Sequence, residues 1–472
     1  MNRPVAGPAR IVVLGGGPAG IAAAYFAQQQ GHDVTLVERS PWIGGKGASR
    51  DRNGYILDFG PHAYHPKTRA INEMVVSHAG ADYLLGPVMM ELIIAGRTLE
   101  YPFRPIEGLR KFPISLSARI LSDFIAARAR RLLRDEPEDS FKSYGEKQFG
   151  GTMYRLCFGD YSERVWGLPA SELSVELARR KLPRMSVRGL ISDFLLKRGS
   201  MHAHLFGNDF GYHRRGIGRI YEAIASGIES RGGRVLRSRK VVAFRANGEG
   251  RISNVITSGV DGPVDLACDA VVSTIPLNQL EALVDEAGIG VGGQRGKVEF
   301  RDIVLAYAVL RRTTFSPAHW TYLVDGRFSF HRISEQKNLS ALCCPPDRTM
   351  LTLEISAAAC PQKPEELRRL VESDLAYFGV KGDEIEEIET IALPDAYPIY
   401  RKAYEAELAR SLERLSPISN LVSTGRQGLF LDIDMHDAMV LGRAGVNAAI
   451  QGEIPRFYRD HEKILREAKA AG

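Results

Sequence analysis

The stretch RIVVLGGGPAGIAAAYFAQQQGHDVTLVERS, residues 10–40, constrains this chain more than any other. A β-branched run enters a glycine cluster and a helix-forming run follows at once, which predicts strand, tight turn, helix and second strand. Gly15, Gly17 and Gly20 stand in GxGxxG spacing, with Pro18 and Ala19 opening the helix between them. The first glycine permits the turn, the second lets backbone approach a pyrophosphate, and the third lets the helix lie close to the sheet. A phosphate would then rest on the helix amino terminus. Gly31 is the expected helix stop and 33–37 the second strand. Glu38, followed by Arg39, ends that strand about twenty residues beyond the glycines, where an acid can bind the ribose of an adenosine. That context favours a dinucleotide site over a glycine turn that binds nothing.

A second glycine pair, Gly44 and Gly45, precedes Lys46, and the chain then runs through LDFGPHAYHP, residues 57–66. This order of parts resembles the FAD-binding half of the glutathione-reductase-like flavoproteins, in the branch of protoporphyrinogen oxidases, phytoene desaturases, amine oxidases and UDP-galactopyranose mutases. The resemblance implies that Gly44, Gly45 and Lys46 approach the pyrophosphate and ribityl chain. It also implies that Gly60, Pro61 and His62 cross the flavin ring. The segment 210–244 resembles the return of the chain to that domain, with the Val241 backbone offered to the adenine. NLVSTGRQGLFLDIDMHDAM resembles the closing motif, placing Gly425 and Arg426 at the flavin phosphates and ring edge. A helix starting at Met435, with Ala438 in its first turn, would lie beneath the ring, its dipole favouring an electron-rich flavin.

At 472 residues the chain should divide into two or three domains. The expected architecture is α/β: a Rossmann-like FAD-binding domain from 1–60, 205–285 and 415–472, with a discontinuous α+β substrate domain from 61–204 and 286–414. The first insertion reads as mostly helical, the second as an antiparallel sheet that would roof the flavin. Trp320, Tyr322, Arg332, Tyr397 and Tyr400 are candidates to line the substrate site, though for each alone a place in the core is the first expectation. The segment 134–140, RDEPEDS, reads as a surface linker.

Several classes are excluded by what the sequence lacks. No GxSxG, HExxH or P-loop is present, and the five cysteines lack CxxC spacing. The closing motif has no cysteine to carry a thioether, so the FAD is expected to be non-covalent. The cysteine usage, with no sign of a disulfide framework, points to a reducing cytoplasm, and no secretory leader and no apolar run of about 18 residues is seen. The net charge of +6 gives no reason to expect a nucleic acid partner, and the expected partner is a small molecule, anionic or amphiphilic. The basic helix at 119–134 admits two readings, packing onto the substrate domain or peripheral contact with anionic lipid. Oligomeric state is left open.

The resemblance implies an FAD-dependent oxidoreductase that removes hydride from an organic substrate of a biosynthetic pathway, with flavin as acceptor. The alternative is a non-redox sugar-nucleotide mutase. Against it stand Phe430 and Asp432, where the mutase pattern has tyrosines, because a carboxylate near a diphosphate is repulsive unless screened. Pro61 and Pro66 argue against a helix carrying His62 and His65 as a metal pair, so no metal is expected. His62 is the expected catalytic base or donor with Arg426 beside it, and His65 is expected to brace the turn.

Overall fold

The computed structural model describes residues 7–101, 105–133, 137–182, 209–247, 250–289 and 293–470. The chain divides into two compact units, Met1–Leu85 with Phe210–Glu299 and Glu405–Gly472, and Gly86–Asp209 with Phe300–Tyr404.

The first unit is built on β1 (Arg10–Leu14), α1 (Pro18–Gln29) and β2 (Asp33–Val37). β1 and β2 are buried at every position but the first, as expected of strands covered on both faces. Their parallel sheet has the order Leu421–Ser423, Ala270–Ser273, β1, β2, Arg234–Leu236. Pro18 presets the first turn of α1, and Gly31, at φ +84°, turns the chain out of it into β2. The alanines of α1 are fully buried because they let the helix sit close. Close packing extends to the helix Met435–Gln451, where a Cβ on Gly442 would lie 2.1 Å from the Ala19 carbonyl oxygen. The unit also holds a three-stranded antiparallel sheet, Lys240–Ala246, Ile252–Gly259 and Gly262–Ala267, and a hairpin of Ser49–Arg52 with Tyr55–Asp58.

The second unit carries, among the described residues, a seven-stranded sheet. Its order is Ile385–Pro398, Phe300–Leu310, Thr349–Ser356, Arg332–Glu335, Trp320–Leu323, Met90–Ile94, Arg97–Glu100. Neighbours are antiparallel except Trp320–Leu323 with Met90–Ile94, which are parallel. Leu367, Val371 and Leu375 of the helix Pro364–Ala376 cover one face against Leu351, Leu353 and Ile355. Those helix positions repeat every four residues, so one stripe meets the sheet. Among the described residues, helices between Pro105 and Lys181 pack alongside it in the same unit.

The observed division differs from the expected one. Residues 61–85 lie in the first unit rather than the second, as do 286–299 and 405–414. Tyr64 forms a backbone bridge with Gly211, and His78 of the helix Arg69–Ala79 reaches Gly227, so local packing holds that segment past residue 60. The first insertion also contributes two strands to the sheet, which its helical periodicity did not announce. Of the expected linker 134–140, residues 134–136 lie outside the described residues, as do 183–208 of the first insertion. Among the described residues, no helix is long and apolar enough to cross a membrane.

Candidate functional site

Two clusters carry the sites, one in each unit. In the first, Gly17 is the N-cap of α1 and, among the described residues, no side chain caps that end. Its first-turn N–H groups are therefore open to an anion. Gly15, at φ +97°, leaves no room for a Cβ, which would meet Thr274 Oγ1 at 2.6 Å. A Cβ on Gly20 would lie 1.8 Å from the Gly15 carbonyl oxygen. Gly44 donates its N–H to the Gly16 oxygen at 2.8 Å, and a Cβ on Gly45 would come within 3.0 Å of Gly17 Cα. The two glycine runs thus meet as bare backbone beside the open helix end. This cradle fits a diphosphate, because a side chain at these positions would fill it.

Glu38 is buried with both carboxylate oxygens held, Oε2 by the Gly16 N–H at 2.7 Å and Oε1 by the Ser40 N–H at 2.8 Å. Each oxygen keeps a lone pair for a ribose hydroxyl. The Arg239 N–H donates to the Glu38 carbonyl at 2.9 Å, which brings Val241 close to the same strand end. Arg39 is exposed and Lys46 half-buried. Gly425, at φ +80°, packs on Ala19, whose Cβ would be 2.5 Å from one added there. Met435 lies against Gly47 and accepts from the Tyr221 hydroxyl at 2.7 Å. Ala438 is buried in the same helix.

The segment 57–66 is anchored at both ends. Buried Asp58 accepts from Ser49 Oγ and the Tyr212 hydroxyl, each at 2.5 Å, and from the Ile217 N–H at 3.3 Å. Burial pushes its carboxyl up to about 6, although the three donors pull the other way. Gly60, at φ +123°, then reverses the chain, with the His62 N–H donating to its carbonyl at 2.9 Å. Pro61 and His62 are half-buried, and the His65 ring packs on Phe210 at 5.0 Å. Burial lowers the His65 pKa, and Lys67 lowers it further.

The closing motif departs from expectation in two ways. Arg426 pairs with Asp432 at 2.6 Å and donates to the Ile433 carbonyl, so the guanidinium is committed to its own turn. Asp432 is accordingly compensated, which removes the electrostatic objection to a diphosphate nearby. The helix at Met435 is capped by Asp434, which accepts from the Asp437 N–H at 2.9 Å, and Lys67 pairs with both acids. The helix dipole therefore shares its end with two carboxylates and a lysine. His436, which its sequence context does not single out, is buried and meets the Tyr64 hydroxyl through Nδ1 at 3.0 Å and Thr68 Oγ1 through Nε2 at 2.9 Å.

In the second unit, three of the five expected substrate residues converge. Arg332 makes a two-point contact with Glu354, Nε to Oε1 at 2.9 Å and Nη2 to Oε2 at 2.8 Å. Its Nη2 also donates to the Tyr397 hydroxyl at 3.3 Å, and its guanidinium lies 5.6 Å from the Tyr322 ring centroid. Burial would raise the Glu354 carboxyl, but Arg332 and His331 outweigh it and hold it down at about 2. His331 Nε2 meets Glu354 Oε2, the oxygen it shares with Arg332 Nη2, at 3.2 Å, and burial lowers its own pKa. Tyr101 stacks by Tyr322 at 5.2 Å, and Tyr161 lies by His331 at 6.5 Å. Trp320 shares a strand and a face with Tyr322 and is buried. Tyr400 does not join this group; it is buried against Tyr404 at 4.5 Å. Glu354 was legible after all, as the one charge in the apolar strand TMLTLEIS. Tyr101 and Tyr161 had no such signal.

Residues 18–431 match the family described as flavin containing amine oxidoreductase. A coproporphyrinogen III oxidase of Bacillus subtilis is 28% identical over 137 residues, 25% of this chain and 29% of that protein. Protoporphyrinogen oxidase of Homo sapiens is 26% identical over 297 residues, 58% of this chain and 61% of the relative. The chain thus spans less than two thirds of the length of these curated relatives. Among solved structures, a reduced UDP-galactopyranose mutase superposes with a TM-score of 0.81 at 19% identity, covering 97% of this chain and 99% of that one.

Proposed function

The chain belongs to the flavin containing amine oxidoreductase family, and from that membership we propose that it is an FAD-dependent oxidoreductase removing hydride from a small amphiphilic molecule. The observation that carries the reading is the open end of α1 facing the bare backbone of Gly44 and Gly45, with Glu38 fixed beside it. These residues would hold the diphosphate and the adenosine ribose of a non-covalent FAD. When bound, the flavin supplies the hydride-accepting ring, so the chain needs no nucleophile of its own. His62 is the candidate to take or hold a proton at the ring side of the segment 57–66, and the Asp58 anchor fixes its approach. In the second unit, Arg332 is neutralised by Glu354, which leaves tyrosine hydroxyls and aromatic faces as the recognition surface. Of the anionic or amphiphilic substrates expected, that surface suits a hydroxyl-bearing or amphiphilic one better than a bare anion.

A second reading is a non-redox sugar-nucleotide mutase, favoured by one observation: Asp432, the residue that weighed against it, is paired with Arg426. One set of measurements separates the two. Purified protein should be yellow and release FAD, and anaerobic addition of an amine or porphyrinogen substrate should bleach the flavin band. His62→Ala should keep its flavin and lose most of the bleaching rate. Turnover of a sugar nucleotide only after dithionite reduction would replace the first reading with the second, and a colourless protein that FAD cannot reconstitute would end both.

A further inference from the structure

The helix Ile114–Leu133 has two apolar faces. One is the packed face, in which Ile120 and Ala127 are buried and Asp123 turns inward to accept from the Thr152 N–H at 3.0 Å. The other faces water. Ile114 is 89% exposed, Leu121 51% and Ile125 59%, and Ala118 and Ala129 are exposed between and beyond them. These residues recur at steps of three and four, so they form one continuous stripe along the helix. Exposed Arg119, Arg130 and Arg131 flank it, and Arg128 lays its guanidinium 5.1 Å from the Phe124 ring centroid. Asp123, the only acid in the helix, belongs to the opposite face.

We infer that this helix is a membrane-surface element that lies in the plane of an anionic bilayer, with its apolar stripe in the interface and its arginines on lipid phosphates. The pattern is that of an in-plane helix: low overall hydrophobicity, strong segregation of apolar residues and basic flanks. Charge selects the occupant. A second copy of the chain docking through the same helix would bring three exposed arginines and no exposed carboxylate from that helix to meet them, whereas a surface of lipid phosphates complements all three. Among the described residues, packing onto the chain's own fold occupies the other face and leaves this stripe out.

The test is flotation of the full-length flavoprotein with vesicles of phosphatidylcholine, with and without phosphatidylglycerol. Binding should appear with phosphatidylglycerol, fall at least tenfold on phosphatidylcholine alone, and weaken as salt rises. Leu121→Glu with Ile125→Glu should reduce binding roughly tenfold or more, as should Arg119→Gln with Arg130→Gln and Arg131→Gln. These positions are exposed, so circular dichroism and flavin content should not change, which separates a lost surface from a lost fold. The inference is overturned if wild-type protein ignores anionic vesicles, or if both variants bind as well as wild type. It is also overturned if light scattering shows a dimer that the Leu121→Glu, Ile125→Glu variant dissolves while no vesicle binding occurs, because the stripe would then belong to a second copy.

Discussion

Glu354 occupies a strand buried at all of its positions, where an unpaired carboxylate would cost several kcal/mol. Its stability rests on Arg332, which holds both oxygens, with His331 sharing Oε2. Removing one member of such a pair is more damaging than replacing both, because the remaining charge stays buried. Arg332→Ala should therefore destabilise the second unit by about 3 kcal/mol at neutral pH. Arg332→Met with Glu354→Gln should recover most of that loss, with urea unfolding followed by circular dichroism as the measurement. A double variant no better than the single would refute the pairing. The pH sign follows from the direction of the shift. With a folded value of about 2 against an ordinary 4.5, the pair's contribution is complete above the ordinary value and disappears as pH falls through the range toward 2. The difference between wild type and Arg332→Ala should accordingly shrink in acid.

The helix Met435–Gln451 shows how an element's end is decided by its surroundings. Its N-terminal N–H groups are met by Asp434, and Lys67 binds both Asp434 and Asp437. Asp434→Ala removes the cap and one arm of the ion pair, and should cost about 1–2 kcal/mol in urea unfolding. Asp434→Asn keeps a capping oxygen and loses only the charge, so it should cost less than half of that, since the Asp434 side chain is 46% exposed and the pair partly screened. Equal losses in the two variants would mean that the charge, not the cap, holds the helix end. α1 makes the contrast: its amino terminus has no side-chain cap among the described residues, and it stands where an anionic ligand can take that role.

Two units with separate cores make a ligand's effect on the whole molecule measurable. FAD that binds the folded first unit and not its unfolded chain must raise the unfolding temperature, and at a concentration of 100 times Kd it contributes about 2.7 kcal/mol. Stripped protein should show that rise on titration with FAD and little with riboflavin, which lacks the diphosphate; an equal response to both would remove the α1 cradle as the binding determinant. The dinucleotide module was legible in the sequence because its constraints are local. A strand, three spaced glycines, a helix stop at Gly31 and an acid at the strand end all fall within one short run, and each follows from backbone sterics. The alternation of the second insertion announced its antiparallel sheet for the same reason. Which residues meet was another matter. Tyr64 with His436, Lys67 with Asp434, and Arg332 with Glu354 are joined across long stretches of chain or between neighbouring strands, and hydrophobic periodicity records which face a residue takes but not what it will find there. Arg426 was placed by its motif, yet its partner Asp432 is chosen by the path of a turn. The sequence by itself determined the cofactor module and the strands of the second insertion, since those depend on neighbours a few residues away. Only the tertiary structure decided which charges are compensated and which apolar stripe is left facing water, because those depend on where distant segments come to rest.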